Sequence, residues 1–231
     1  MRLNCVLGSV CVVLLMAGCG SDDHASAPAP TPTPTPVPEP EPETPVEPEY
    51  EAPDPGYLLN AEFLQGEQGN VDQWSLLAHA SNGSYSVIVD DGVMMFTRVG
   101  VEPWGKVRQL FKGESIEPFI GRTLRFSADM RAEFTSEWGE AMEAPGLVVT
   151  AKGIPAGSPP ILGSSLLLSE KAAVDDLDVS ADWHRYEVEF ELPTAEQALV
   201  VELEVGFLMT EGGSLYVRGP ALIAVEEIVA D

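Results

Sequence analysis

Five side chains in this 231-residue chain are suited to hold a ligand without reacting with it: Trp104, Trp138, Tyr85, Arg108 and Gln109. An indole or phenol ring packs its face against the C–H face of a pyranose. A guanidinium or amide beside it bonds the hydroxyls. Trp104, in "VEPWGKVRQLF", follows a proline and precedes a glycine, which puts it at the junction of a loop and a strand. Trp138 stands in the acidic stretch "TSEWGEAMEA", with few apolar neighbours to cover it. Arg108 and Gln109 are adjacent on one predicted strand and so point to opposite faces, leaving at most one of them for a given groove.

Reactive chemistry has less to draw on. Glu187, Glu189 and Glu191 share a face in "EVEFE", about 6.6–6.8 Å apart in succession on an extended strand. Carboxylates at such spacing can do acid–base work on glycosides, and the stretch resembles the acid-rich strand of jelly-roll glucanases. Those enzymes centre the motif on aspartate, so hydrolysis is the minor alternative to a solvated strand face paired with Arg125 and Arg131. His24, His79 and His184 do not cluster, and no metal triad or Ser–His–Asp set can be assembled. Beyond Cys19 there is no cysteine, which excludes disulfides, thiol nucleophiles and thiolate zinc sites from the rest of the chain. No catalytic residue, metal or cofactor is expected.

The elements that would position these side chains are strands. Tyr186, Val188, Phe190 and Leu192 alternate with polar residues in "RYEVEFEL", as Leu124, Phe126, Ala128 and Met130 do in "GRTLRFSADMRAE". Leu199, Val201, Leu203, Val205 and Phe207 continue the pattern in "LVVELEVGFLM". Such period-two stretches bury one face and wet the other. Asp91-Gly92 between two β-rich runs is a strong hairpin signal. Further strands are expected near 106–111, 146–152, 161–168, 214–218 and 221–225. Nine or ten short strands without a long amphipathic helix predict an all-β antiparallel sandwich over residues 58–231.

Two segments precede that body. Residues 1–18 place one arginine before an apolar run of about a dozen residues, the layout of a signal peptide and too short to span a bilayer. "LLMAGC" resembles a bacterial lipobox, which implies lipid on Cys19 and, with Gly20 rather than aspartate following, a place in the outer membrane. Residues 19–57 form a Pro/Glu-rich linker, with twelve of the chain's 20 prolines between 28 and 55. Alternating proline removes donors and fixes φ, so polyproline II is expected, reaching about 85 Å. The chain carries 37 acids against 12 Lys and Arg, a formal charge of −25. A surface this acidic repels phosphate backbones and excludes nucleic acid as a partner; the membrane is reached through the lipid alone.

In order, "LLNAEFLQGEQGNVDQWSL", "VRQLF", "GRTLRFSADMRAE", "ADWHRYEVEFELP" and "LEVGFLMTEGGSLYVRGPALIAV" resemble the CenC-type carbohydrate-binding modules over nearly all of 58–226. The resemblance implies a galactose-binding-like jelly roll and non-catalytic binding of polysaccharide. It also implies that Trp74 and Trp183, at the family's landmark positions, pack in the core. Similar modules carry a glutamate after the early Phe and an aspartate in the last hairpin, both able to serve calcium. Here Leu64 and Arg218-Gly219 take those places, so no calcium is expected there. The alternative is a structural or protein-interaction sandwich that has kept the fold and lost the sugar site.

Overall fold

Ten strands carry the alternation into three dimensions in a computed structural model. They are β1 (Ser75–Ala78), β2 (Tyr85–Asp90), β3 (Val93–Arg98), β4 (Gly105–Lys112), β5 (Thr123–Thr135), β6 (Gly146–Pro155), β7 (Ser165–Ala173), β8 (His184–Glu191), β9 (Ala198–Met209) and β10 (Gly212–Ala224). The structure describes residues 50–66, 71–80, 82–135, 143–159, 163–174 and 182–225, all within the unit Glu49–Asp231. The only helices among them are short 3₁₀ turns at Asn82–Ser84 and Gly113–Phe119.

Two five-stranded antiparallel sheets result, ordered β1-β4-β9-β6-β7 and β2-β3-β10-β5-β8. From β3 onward the chain crosses between sheets at every step except the β6–β7 hairpin. Leaving aside the edge strands β1 and β2, the remaining four strands of each sheet run β3-β10-β5-β8 and β4-β9-β6-β7. That is the double Greek-key wiring of a jelly roll. Leu124, Phe126, Ala128 and Met130 are fully buried on β5, facing Leu203, Val205 and Phe207 of β9. Phe126 and Phe207 meet across the sandwich at 5.7 Å between ring centroids. Trp74 stacks on Phe207 from another side, at 5.5 Å.

Local chemistry explains the early "LLNAEF…W" pattern. Asn60 sits at φ 51°, and its amide donates to Leu64 O and Asp72 O and accepts from Leu64 N. Trp74 Nε1 donates to Asn60 O at 3.0 Å. The asparagine thus closes the loop over which Phe63 and Trp74 enter the core. Asp91 and Gly92 both take positive φ, 47° and 72°, the requirement of a type I′ hairpin turn.

Two bulges revise the expected pattern. On β9 the pairing with β6 passes from Glu202↔Lys152 to Val200↔Gly153, skipping Val201. The extra residue flips the strand's end. Leu199, expected inside, is 63 % exposed, and Val200 is buried in its place. On β10 the pairing passes from Arg218↔Asp129 to Ala221↔Ser127, so the strands expected at 214–218 and 221–225 are one strand kinked at Gly219-Pro220. Residues before Leu58 also dock on the body: Gly56 bridges Leu222, and Tyr57 N donates to Leu222 O at 2.8 Å.

Candidate functional site

The outer face of β2-β3-β10-β5-β8 carries a cross-strand row set by register alone. Ile88 pairs with Met95, Met95 with Tyr216, and Tyr216 with Arg131. Their strand neighbours Met94, Phe96, Leu215, Val217 and Met130 are buried, so all four side chains of the row point away from the core. Trp183 precedes His184, the partner of Met130, and extends the row to the sheet's edge.

Flat groups stack along this face. The Arg131 guanidinium lies 4.1 Å from the Tyr216 ring centroid and 5.5 Å from that of Trp183. Arg218 lies 4.2 Å from Trp183 and 3.8 Å from Tyr50. The ladder therefore runs Tyr216, Arg131, Trp183, Arg218, Tyr50, alternating ring and cation. Glycine at 219 is required by this stack: its φ is 51° and a Cβ there would overlap Tyr50 Oη and crowd Pro53.

Carboxylates steady the ladder from below. Arg185 donates to Asp129 Oδ1 at 3.1 Å, to Ser127 Oγ at 2.8 Å and to Gly219 O at 3.0 Å. Tyr216 Oη donates to Glu133 at 3.1 Å; burial, then that carboxylate, pushes the phenol up from its usual range. The Tyr50 phenol is pushed up to about 12, by burial first and then by the charge of Asp129 and a hydrogen bond to it.

Beside the ladder opens a cavity of about 650 Å³, the size of a small-ligand cleft. Ile88 and Met95 form its apolar floor, Arg131, Arg218, Trp183 and Tyr216 one wall, and Glu62, Asp90 and Asp91 the wall at the hairpin turn. The arrangement offers ring edges, an apolar base, guanidinium donors and carboxylate acceptors. It can hold a hydroxyl-bearing ring. Among the described residues no three His, Cys, Asp or Glu side chains converge as metal ligands.

The structure does not bring the five candidate ligand residues together. Trp104 is half-buried at the start of β4, edge-on to His79 at 6.1 Å. It lines a separate space of about 210 Å³ with Lys106, Thr150 and Lys171. Arg108 points outward on β4 and pairs with Glu204. Gln109 points inward, as adjacency requires, and both accepts from Leu59 N and donates to Leu59 O. Tyr85 is buried between Phe96 and Gly105, and its hydroxyl donates to Glu102 O at 2.9 Å. The polar atoms of Tyr85 and Gln109 are thus engaged by the protein's own backbone. Trp138 lies outside the described residues.

Trp74 is buried as expected, but Trp183 is not a core residue: it is only half-buried and stands on the outer face. The alternation in "WHRYEVEFE" carries the signal. Trp183 is in phase with Arg185, Glu187, Glu189 and Glu191, all of which face solvent. By the same parity Tyr216, Arg218 and Arg131 face outward, opposite the buried Leu215, Val217 and Met130. Glu187 and Glu189 are exposed on that face too, with Arg125 between them at 3.7 and 2.5 Å. Tyr50 had no sequence signal, since only docking onto Arg218 makes it part of the cleft.

No protein-family model matches the chain, and no curated protein matches it in sequence. Solved structures do resemble it in outline. The bacteriophage CBA120 tailspike protein 4 enzymatically active domain aligns over 74 % of this chain at 10 % identity and TM-score 0.46. This chain spans only 22 % of that tailspike domain. A family 4 carbohydrate-binding module aligns over 72 % of this chain and 99 % of its own, with 14 % identity and TM-score 0.42. The C-terminal family 22 carbohydrate-binding module of Clostridium thermocellum Xyn10B aligns over 78 % of this chain and 100 % of its own, with 11 % identity and TM-score 0.42. At such identities the cleft must be read from its own residues.

Proposed function

We propose that this chain is an outer-membrane lipoprotein that binds polysaccharide without transforming it, in the cleft beside Trp183 and Tyr216. The observation that carries the reading is the ladder itself. Two aromatic side chains and two guanidinium groups hold one another in place along a cavity of about 650 Å³, and preorganised rings and forks bind at low entropic cost. Lipid on Cys19 and the proline-rich linker would hold the jelly roll at a distance from the membrane, in keeping with a CenC-type module.

Tyr50 favours a second reading, a protein-interaction sandwich. The ring at the end of the proline-rich stretch already lies on Arg218 at 3.8 Å, so the cleft accepts a peptide. A glycan array with the full chain separates the two. Trp183→Ala is expected to lower polysaccharide affinity tenfold or more, as loss of a central aromatic anchor does, while Trp104→Ala on the other sheet leaves it within twofold. A full chain that ignores every glycan but captures tyrosine-bearing, proline-rich peptides would replace the first reading with the second.

A further inference from the structure

We propose that the cleft selects acidic polysaccharide, taking a uronic acid carboxylate at its arginine end and a neutral sugar at its hairpin end. This rests on the reading of the cleft as a polysaccharide site. The composition sets the problem: 12 Lys and Arg stand against 37 acids, yet Arg131 and Arg218 share one cavity wall. The lining as a whole carries three carboxylates, Glu62, Asp90 and Asp91, against these two guanidinium groups. Positive charge is confined to the arginine wall, where amides would serve a neutral sugar as well.

The two guanidinium groups are held but not consumed. Stacking on Tyr216, Trp183 and Tyr50 uses their planes and leaves the N–H edges over. Nε of both arginines, like that of Arg108 on the other sheet, is shielded from solvent and has no hydrogen-bond partner, a condition that costs free energy. Among the described residues the Arg218 side chain makes no hydrogen bond. Its nearest carboxylate oxygen, on Asp129, is 3.9 Å from Nε, beyond bonding distance, and Asp129 already accepts from Arg185 at 3.1 Å. Arg131 donates from Nη1 to Glu133 Oε1 at 3.2 Å, which engages one of its nitrogens and leaves Nε without a partner. A planar carboxylate fits such a fork with two parallel bonds.

The opposite wall sets the pattern of the polymer. Glu62, Asp90 and Asp91 line the hairpin end, where they accept from sugar hydroxyls and repel a second carboxylate. Acid groups on every sugar would therefore collide with that wall; acid groups separated by neutral sugars would not. A sulfate ester presents similar oxygens, but in a tetrahedral array that suits a planar fork less well.

The test is retention of the full chain in affinity gels at physiological salt, where charges more than about 8 Å apart are screened. The gels carry alginate, polygalacturonate or hyaluronan, each beside its carboxyl-reduced product, with neutral xylan and dextran sulfate alongside. Hyaluronan, in which each uronate is followed by a neutral sugar, is expected to bind tenfold tighter than its reduced product. It is also expected to bind tighter than alginate or polygalacturonate, which carry an acid on every sugar; equal or tighter retention by those two overturns the role given to the acidic wall. Arg218→Gln and Arg131→Gln are each expected to weaken that binding tenfold or more, with thermal melting recorded to show that the variants fold. Equal retention by carboxylated and reduced polymers overturns the acid preference and leaves polysaccharide binding intact. Retention by dextran sulfate equal to that by the best uronate overturns carboxylate selection. Retention by none of the polymers overturns both the preference and the reading beneath it.

Discussion

On the outer face of β1-β4-β9-β6-β7, Lys106 and Arg108 converge on Glu204, and Lys112 and Lys152 on Glu202. On the outer face of the other sheet, Arg131 and Arg218 lie against rings instead. The first face sets its cations against carboxylates, although Arg108 Nε is left without a partner. The second also pairs Arg125 and Arg185 with carboxylates, but it stacks Arg131 and Arg218 on rings beside a cavity. A charge paired with a carboxylate is structural; a charge paired with a ring remains available. That difference, rather than the number of charges, distinguishes a sealed sheet face from one that can take a ligand.

The largest expected break falls on the sealed face. Glu204 is 4 % exposed, and removing its carboxylate strands two half-buried cations. Glu204→Ala is expected to destabilise the domain by about 2–3 kcal/mol, below the 3–5 typical of fully buried pairs because Lys106 and Arg108 keep some solvent. Chemical unfolding measures it. Polysaccharide affinity should stay within twofold, since the cleft lies on the other sheet. A loss of binding equal to the loss of stability would mean the faces are not independent.

Acid sharpens the same contrast at smaller amplitude. Burial alone would raise the Glu204 carboxyl, but hydrogen bonds and charge from Lys106 and Arg108 outweigh it and hold the group below its ordinary value. Glu202 is lowered mainly by its hydrogen bond to Lys112, with Lys152 adding to it against some burial. Groups depressed on folding contribute stability that is fully present above the unfolded carboxylate range, about 4.3, and lost as pH falls below it through the folded values. Unfolding midpoints should therefore drop below about pH 4, and the drop should be shallower in Glu204→Gln than in the parent chain. An identical slope in the two would show that the pair is not linked to folding.

The two faces also differ in how far they could be read beforehand. Alternation in β5 and β8 placed Leu124, Phe126, Met130, Val188 and Phe190 inside, because each strand pairs without interruption over those residues. It misplaced Leu199, because a bulge depends on the partner strand and leaves no mark in the period. For Trp183 the period was right and the landmark reading overrode it: an aromatic two residues before Arg185 shares that residue's face. The cleft needed more than parity. Register decides that Met95, Tyr216 and Arg131 form one row, and register follows from the type I′ turn and the Gly219-Pro220 bulge acting over long stretches of chain. Side-chain type alone suits Tyr85, Gln109 and Arg108 to a ligand, but the fold gives the first two to the backbone and the third to Glu204, partners far away in sequence.

The smallest expected effect is at the open face and concerns Tyr50. Its phenol, pushed up to about 12 by burial and by Asp129, must stay protonated to keep its hydrogen bond to that carboxylate. A group raised on folding contributes stability that is present below its unfolded value, about 10, and lost as pH climbs through the folded one. Absorbance at 295 nm should show a tyrosine titrating near 12 that disappears in Tyr50→Phe. Tyr85 is also pushed up to about 12, by burial foremost, with Arg98 lowering it and Glu102 raising it, so only the difference between parent and variant isolates Tyr50. Between pH 10 and 12 the parent should lose slightly more stability than Tyr50→Phe, by a margin kept small because the ring is more than one third exposed. A phenol that titrates near 10 would mean that the end of the linker is not seated on Arg218. The open face would then begin at Trp183, with one more guanidinium surface free for ligand than the ladder shows.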